Sequence, residues 1–194
     1  MKDAPMMNFP SHDLDTAPDG SKPLLEQSQK AFGRLPGLHK VLAESPQAFE
    51  GYQLLHKLFT ETDFDAEELT VVWQSINVEH ACHYCVPAHT GIAKMMKVSD
   101  ELTEALRTET PLASAKLEAL RTFTIQMVRE RGNVSETQMK VFFDAGYGHR
   151  AVLDVILGLA QKTMSNYVNH VAETPVDEVF QPLAWQRGDT PLKV

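Results

Sequence analysis

Two cysteines, a histidine and a glutamate stand close together near the middle of the chain, in the order Glu79, Cys82, Cys85 and His89. These are the only two cysteines of the chain, and they form a Cys-x-x-Cys pair. A structural disulfide framework spreads its cysteines to close long loops. Two thiols at this short spacing instead favour a redox-active dithiol or a metal site.

Pro87 restricts where the helix that carries Cys85 can begin. Proline is tolerated in the first turn of a helix and is costly in its interior, so the sequence predicts a helix start near residues 83–85. Cys85 would then lie in the first turn, where unpaired N–H groups and the helix dipole lower the pKa of a thiol. His89 follows four residues later on the same face, where it can accept the thiol proton or hold the thiolate as an ion pair.

The spacing of Glu79 suggests a proton relay. If the preceding helix extends that far, the Glu79 carboxylate faces Cys82, directly or through a water molecule. The expected reaction is attack of a thiolate on a peroxide, followed by condensation of the sulfenic acid with the second thiol and reduction by an outside dithiol. The helix-start argument favours Cys85 over Cys82 as the attacking thiol, and the reverse order remains open.

The segments around this motif have helical patterns. Predicted N-caps include Ser45 and Asp65, and Ser135 begins a capping-box sequence. Residues 114–131 form a strongly amphipathic stretch, and residues 149–173 form the longest apolar one. No convincing strand alternation is present, so we expect an all-α, compact helical bundle of roughly eight helices.

We expect a single all-helical domain over residues 21–194, preceded by a flexible N-terminal arm over residues 1–20 that is rich in proline and acidic residues. Residues 71–89 and 153–173 resemble each other faintly, because each runs an apolar helix into a histidine-containing segment. An internal duplication is therefore an open hypothesis.

The composition excludes some classes of function. The net charge is −8, and without a basic cluster the chain is not expected to bind nucleic acid or an anionic membrane. The first twenty residues lack the apolar run of a signal peptide. No stretch reaches the ~20 apolar residues of a membrane span, so we expect a cytoplasmic protein.

Residues 76–89, with the sequence INVEHACHYCVPAH, resemble the core of the alkylhydroperoxidase D / carboxymuconolactone decarboxylase family. The resemblance implies an all-helical fold, assembly as a homo-oligomer and thiol peroxidase activity. It also implies that Cys85 matches the peroxide-attacking cysteine, Cys82 the resolving cysteine and His89 the relay histidine.

The chain departs from the family pattern at two positions. Thr70 occupies the place of the relay glutamate of many peroxidase members, and the nearest carboxylate is that of Glu68, so either Glu68 or Glu79 would have to serve. Tyr84 stands where the best-known peroxidase has a histidine before the second cysteine. The decarboxylase branch generally lacks the Cys-x-x-Cys pair, so lactone decarboxylation is not expected.

Three alternatives compete with a thiol-dependent hydroperoxide reductase. One is a thiol–disulfide oxidoreductase or redox sensor with little peroxidase activity. Another is a zinc site formed by Cys82, Cys85 and His89 with His80, His83 or Glu79. The last is a non-enzymatic helical interaction protein with packing cysteines. The favoured hypothesis requires no cofactor and no metal. It does require a hydroperoxide substrate and an external dithiol reductant, which the sequence does not identify.

Overall fold

The computed structural model describes residues 9–188. Over that range the chain forms nine α-helices and two short 3-10 helices, with no β-strand, which confirms the predicted all-α bundle. The α-helices are α1 Lys22–Phe32, α2 Gly37–Leu42, α3 Pro46–Thr60, α4 Ala66–Glu79, α5 Cys85–Met95, α6 Asp100–Arg107, α7 Ala115–Arg129, α8 Glu136–Asp144 and α9 His149–Val171. The 3-10 helices are Asp19–Ser21 and Glu178–Leu183.

The predicted N-caps are present at the helix starts. The Ser45 hydroxyl accepts a hydrogen bond from the N–H of Ala48, the third residue of α3. At α4 and α8 the capping is reciprocal: Asp65 pairs with Glu68, and Ser135 pairs with Gln138. Each box satisfies two otherwise unpaired N–H groups, and a cap contributes about 1 kcal/mol. These helix starts are therefore determined by the local sequence.

Helix α4 lies at the centre of the bundle, in contact with α5, α6, α7 and α9. Every residue of α4 from Glu68 to Val78 is buried. Helix α9 packs against both α3 and α4. At Gly158 of α9, a Cβ atom would lie 2.7 Å from the ring of Phe59, so the absence of a side chain lets α9 approach its neighbours closely.

An apolar core fills the space on one side of α4, and we define it by Ile76, Leu120, Phe123, Phe142 and Tyr147. Three of its rings stack, with centroids 4.0 Å apart for Phe123–Phe142 and 4.6 Å apart for Phe142–Tyr147. Burial of each large apolar side chain stabilises the fold by roughly 1.5–3 kcal/mol. This core positions α4, and α4 in turn leads into the cysteine motif.

Both ends of the described chain pack on the bundle. Residues 1–8 of the predicted arm lie outside the described residues. In the remainder, the His12 N–H donates to the Lys40 carbonyl at 3.0 Å, and Ala17 is buried. Beyond α9, Trp185 is buried and its indole N–H donates to the Arg107 carbonyl at 3.0 Å. None of the helices between residues 9 and 188 combines the length and the apolar character that a membrane crossing demands.

Candidate active site

The link between α4 and α5 places the first cysteine. Ala81 adopts a left-handed conformation with φ of 52°. The Ala81 N–H donates to the Val78 carbonyl and the Cys82 N–H to the Asn77 carbonyl, both at 2.9 Å. This pair of bonds is a Schellman motif, which ends α4 and reverses the chain direction. Cys82 is therefore held at the turn, directly before α5.

Cys85 is the first residue of α5, which confirms the predicted helix start and places Pro87 in the first turn. Both cysteines are free thiols and both are buried. The Cys85 N–H donates to the Cys82 sulfur at 3.3 Å. The two side chains therefore lie together at the N-terminal end of α5, where the helix dipole favours an anion.

The surroundings shift the pKa values of the two thiols in opposite directions. Burial by itself disfavours the Cys85 thiolate, but the Cys82 thiol, the Lys162 ammonium and the Asn169 amide hold the pKa of Cys85 below its ordinary value. The hydrogen bond to Cys85 and burial raise the pKa of Cys82. The Asn169 amide N–H donates to the Cys85 sulfur at 3.2 Å. These directions favour ionisation of Cys85 before Cys82.

His89 contacts a lysine that was not predicted from the sequence. The Lys162 ammonium of α9 lies 2.9 Å from Nε2 of His89, and both residues are buried. Burial, Lys162 and His56 lower the pKa of His89 well below its ordinary value. Its surroundings therefore favour the neutral form of His89. Lys162 is the basic side chain that interacts with both cysteines.

A chain of buried amides borders the thiols on the side of α4. The Asn166 amide donates to Asn77, and the Asn77 amide donates to Gln74, each at 3.0 Å. Gln74 in turn donates to the Val86 carbonyl at 3.1 Å. These bonds tie α9, α4 and α5 together around the dithiol. Because buried amides must find partners, the network fixes the relative register of the three helices.

A cavity of about 770 Å³ reaches Cys85 from the opposite side. Cys82 does not line it. Apolar side chains form much of its wall, among them Leu24, Phe32, Tyr52, Ile92, Met95 and Phe180. Its polar lining near the thiol includes His56, His89 and Lys162. A mainly apolar cavity with a few convergent polar groups is typical of a site for an organic molecule.

The segment after α9 closes one side of this cavity. The Asp177 carboxylate accepts hydrogen bonds from Arg34 at 2.6 Å, from the Gly37 N–H at 2.9 Å and from the Tyr84 hydroxyl at 2.9 Å. Phe180 lies against Gly91 of α5, in space that a Cβ atom at position 91 would occupy. Tyr84, which precedes Cys85 in the sequence, therefore anchors the segment after α9 rather than facing the sulfur atoms.

The structure does not bring Glu79 to the thiols. Both carboxylate oxygens of Glu79 accept hydrogen bonds from Arg129, each at 2.8 Å, and Arg187 lies 3.7 Å away. This placement corrects the expectation that Glu79 faces Cys82. The three-residue spacing assumed a continuous helix, whereas α4 ends at Glu79 and the left-handed Ala81 turns the chain.

The alternative relay carboxylate is also engaged elsewhere. Glu68 accepts hydrogen bonds from Lys116 at 2.8 Å and from Tyr147 at 3.1 Å. Thr70, at the family's relay position, donates to the Ala66 carbonyl at 2.8 Å. The two carboxylates that the sequence suggested for a proton relay, Glu68 and Glu79, are therefore both engaged away from the thiols.

The other histidines of the motif have separate contacts. Nδ1 of His80 lies 2.9 Å from the Asn166 side-chain oxygen, and Nε2 of His83 lies 3.0 Å from the Thr174 carbonyl. In residues 9–188, no three His, Cys, Asp or Glu side chains converge as metal ligands.

Lys162 and Asn169 belong to the site although the sequence did not predict them. A weak signal exists: Gln161, Ser165 and Asn169 recur every four residues, beside Lys162 and Asn166. Polar residues at this spacing usually form the solvated face of a helix. Here all five are buried, because α9 packs on α3 and α4. Lys162 also lacks an acidic residue three or four positions away, which a solvated helix face often supplies.

Comparisons with known proteins give matches among solved structures alone. No protein-family model matches the chain, and no curated protein matches it. A protein from Ralstonia eutropha JMP134, described as an alkylhydroperoxidase AhpD core and an uncharacterized peroxidase-related protein, matches with a TM-score of 0.80 at 17% identity. The match covers 98% of this chain and 100% of that one.

Two further structures are similar. An uncharacterized peroxidase-related protein from Silicibacter sp. TM1040 has a TM-score of 0.75 at 18% identity, over 90% of this chain and 93% of its own. A variant of the debrominase Bmp8, in complex with 2,3,4-tribromopyrrole, has a TM-score of 0.73 at 14% identity, over 90% and 94%. At this identity the likenesses show the fold that the three proteins share with this chain.

Proposed function

We propose that this protein, whose fold is that of the alkylhydroperoxidase D core, is a thiol-dependent reductase of organic hydroperoxides. The observation that carries the proposal is the placement of Cys85, which begins α5, accepts a hydrogen bond from Asn169 and lines an apolar cavity. A thiolate is the nucleophilic form of cysteine, and a low pKa together with access to substrate is typical of redox-active thiols.

The two cysteines have complementary roles in the proposed cycle. Cys85 attacks the terminal oxygen of the hydroperoxide, which breaks the O–O bond and leaves a sulfenic acid on Cys85. The Cys82 sulfur then displaces the sulfenic hydroxyl, and a disulfide and water result. Because its pKa is raised, Cys82 keeps its proton until that step. This assignment agrees with the cavity, which reaches Cys85 and not Cys82.

The proposed cycle takes its electrons from an external dithiol, which converts the disulfide back to two thiols. No resident cofactor enters any step. We place the cycle in the cytoplasm, where thiols remain reduced. The family resemblance supports a homo-oligomer, and residues 21–194 form the proposed catalytic domain.

A second electrophile deserves a parallel test. The debrominase that shares the fold was solved with a brominated pyrrole. In this chain, the aromatic wall of the cavity includes Phe32, Tyr52 and Phe180, which suits a flat heteroaromatic ring. Reductive debromination by the same dithiol is therefore the second candidate function.

Stopped-flow kinetics of the reduced protein with cumene hydroperoxide test the proposal. We expect the wild type to lose two thiols much faster than free cysteine does. Cys82→Ser should stop at a sulfenic acid that dimedone traps, and Cys85→Ser should not react. A wild type that reacts no faster than free cysteine would overturn the proposal. The same three proteins incubated with 2,3,4-tribromopyrrole then show whether bromide is released instead.

A further inference from the structure

Lys162 is a fully buried lysine without a carboxylate partner among the described residues. Its side chain is about 1% exposed, and in the part of the chain between residues 9 and 188 no Asp or Glu forms an ion pair with it. Its hydrogen-bond partner is His89, and the charges that act on it are those of Cys85 and Cys82. Burial of an unpaired ammonium is costly, so such a residue indicates a function.

We propose that Lys162 supplies, through His89, the proton that the leaving oxygen of the hydroperoxide takes up, and that it stabilises the Cys85 thiolate between turnovers. This inference rests on the proposed function. Lys162 also lines the cavity, but in this proposal its proton reaches the leaving oxygen through His89, so it is a positioning and proton-supplying residue.

The direction of the hydrogen bond determines the tautomer of His89. In the proposal Lys162 is an ammonium, which can only donate, so Nε2 of His89 accepts from it and the ring hydrogen is on Nδ1. Nδ1 is buried and has no hydrogen-bond partner within the described part of the chain. His89 also lines the cavity. In the proposal this N–H, which has no protein partner, bonds an oxygen atom of the bound hydroperoxide.

The proton and electron balance then closes. Attack of the Cys85 thiolate on R–O–O–H gives Cys85 sulfenic acid and the alkoxide R–O⁻. The alkoxide takes the Nδ1 proton of His89 and leaves as R–OH, while Nε2 takes a proton from Lys162, which becomes a neutral amine. Cys82 then forms the disulfide and releases water. Reduction by the external dithiol returns two thiols. Nδ1 of His89 then takes up the Cys85 proton while Nε2 returns its proton to the Lys162 amine, which restores the thiolate, the ammonium and the starting tautomer of His89.

The surroundings of Lys162 suit this exchange. The titratable groups that face it are Cys82, Cys85 and His89, with His56 from α3. Burial lowers the pKa of Lys162, whereas the two cysteines act in the opposite direction. A lysine with a lowered pKa gives up its proton more readily than a solvated lysine. A carboxylate in its place would repel the thiolate, whereas the ammonium attracts it.

The dependence of the rate on the leaving group distinguishes two roles of Lys162, the supply of a proton and the effect of its positive charge alone. Cumene hydroperoxide releases a strongly basic alkoxide, which needs a proton, whereas peracetic acid releases a weakly basic acetate, which does not. We would measure both rate constants for wild type, Lys162→Arg and Lys162→Met, with Lys140→Met on the surface of α8 as control. Lys140 pairs with Asp144 on an exposed helix face. Each rate is taken at a pH where alkylation by iodoacetamide shows Cys85 to be ionised.

Arginine keeps the positive charge but cannot release a proton. We therefore expect Lys162→Arg to retain the low thiol pKa and to lose about 100-fold or more in its rate with cumene hydroperoxide, the usual contribution of general acid catalysis. Its rate with peracetic acid should change less than tenfold. Lys162→Met should show the same selective loss and should also raise the thiol pKa. Methionine replaces a buried charge by an apolar side chain of similar length, which a fold usually tolerates.

Equal losses with the two peroxides, or no loss, in a folded Lys162 variant would overturn this inference and leave the proposed function intact. A wild type that reacts slowly with both peroxides would instead overturn the proposed function.

Discussion

Helix α4 separates two regions with opposite chemistry. On one side, Ile76 faces the apolar core of stacked rings around Phe142. On the other side, Gln74 and Asn77 are equally buried but belong to the amide network beside the thiols. The apolar core gains stability from area removed from water. The dithiol site places a lysine, a thiolate and several amides out of water, which reduces stability unless each finds a partner. The apolar core therefore stabilises the fold, and this stability offsets the cost of burying the polar groups of the dithiol site.

A truncation in the apolar core should give the largest effect on stability and none on chemistry. We expect Phe142→Ala to lower the free energy of unfolding by about 3–5 kcal/mol, because a large cavity replaces a stacked ring. Urea denaturation measures the loss. The control is Val141→Ala, an exposed neighbour on the same helix, which should change stability by less than about 0.5 kcal/mol. A change in the peroxide rate constant of folded Phe142→Ala would show that the two regions are coupled.

Acid should destabilise the cavity side of the molecule. Burial lowers the pKa of His39 and of His56 from 6.5 to about 4. Between these pH values the unfolded chain binds protons that the folded chain does not, so stability falls as the pH drops from 6.5 to 4. A shift of this size corresponds to about 3 kcal/mol per histidine. We expect His39→Gln to remove about that much of the pH dependence in urea titrations, with exposed His149→Gln as control. An unchanged pH dependence in His39→Gln would contradict the prediction.

Loss of the Asn169 amide should have a smaller effect, which concerns the pKa of Cys85. Asn169→Ala removes the amide N–H that donates to the Cys85 sulfur. A hydrogen bond to a charged group contributes about 1.5 kcal/mol, so the pKa of Cys85 should rise by about one unit. The pH dependence of iodoacetamide alkylation measures it. Asn133→Ala, on the loop after α7, provides a control whose alkylation profile should match the wild type. A profile for Asn169→Ala that matches it too would mean that Lys162 and Cys82 determine the ionisation.

The smallest predicted effect concerns the turn before Cys82. Ala81 has a positive φ, which costs an L-residue energy that glycine does not pay. Ala81→Gly should therefore stabilise the protein by about 0.5–1 kcal/mol. Ala105→Gly inside α6 should instead destabilise the protein by a similar amount, because glycine weakens the interior of a helix. Loss of stability in Ala81→Gly would show that this turn gains more from the alanine methyl group than it loses in strain.

Much of the fold could be predicted from the sequence because its signals are local. Ser45, Asp65 and Ser135 each cap a helix through contacts within four residues. Pro87 likewise located the start of α5, and with it Cys85. The 3-10 helix Glu178–Leu183 had no such signal, because it is short and follows the shape of the cavity wall rather than a repeating pattern. The internal duplication remains a hypothesis.

The site was less predictable because it depends on contacts between distant helices. Glu79 was assigned by spacing along one helix, and the left-handed turn at Ala81 removed the basis for that spacing. Lys162 follows Cys85 by more than seventy positions, and a lysine in a polar stripe is ordinarily solvated. Its burial follows from the packing of α9 against α3 and α4, which no local pattern reveals.

The contact between Phe180 and Gly91 has a consequence for the evolution of substrate range. One wall of the cavity is supplied by the chain end, and its position depends on a single missing carbon atom in α5. An alanine at position 91 would force the Phe180 ring to move and so change the shape of the cavity wall. The cavity can therefore change the size of the molecules that it accepts while the chemistry of the dithiol stays the same. Relatives with one reaction centre can then differ in their substrates.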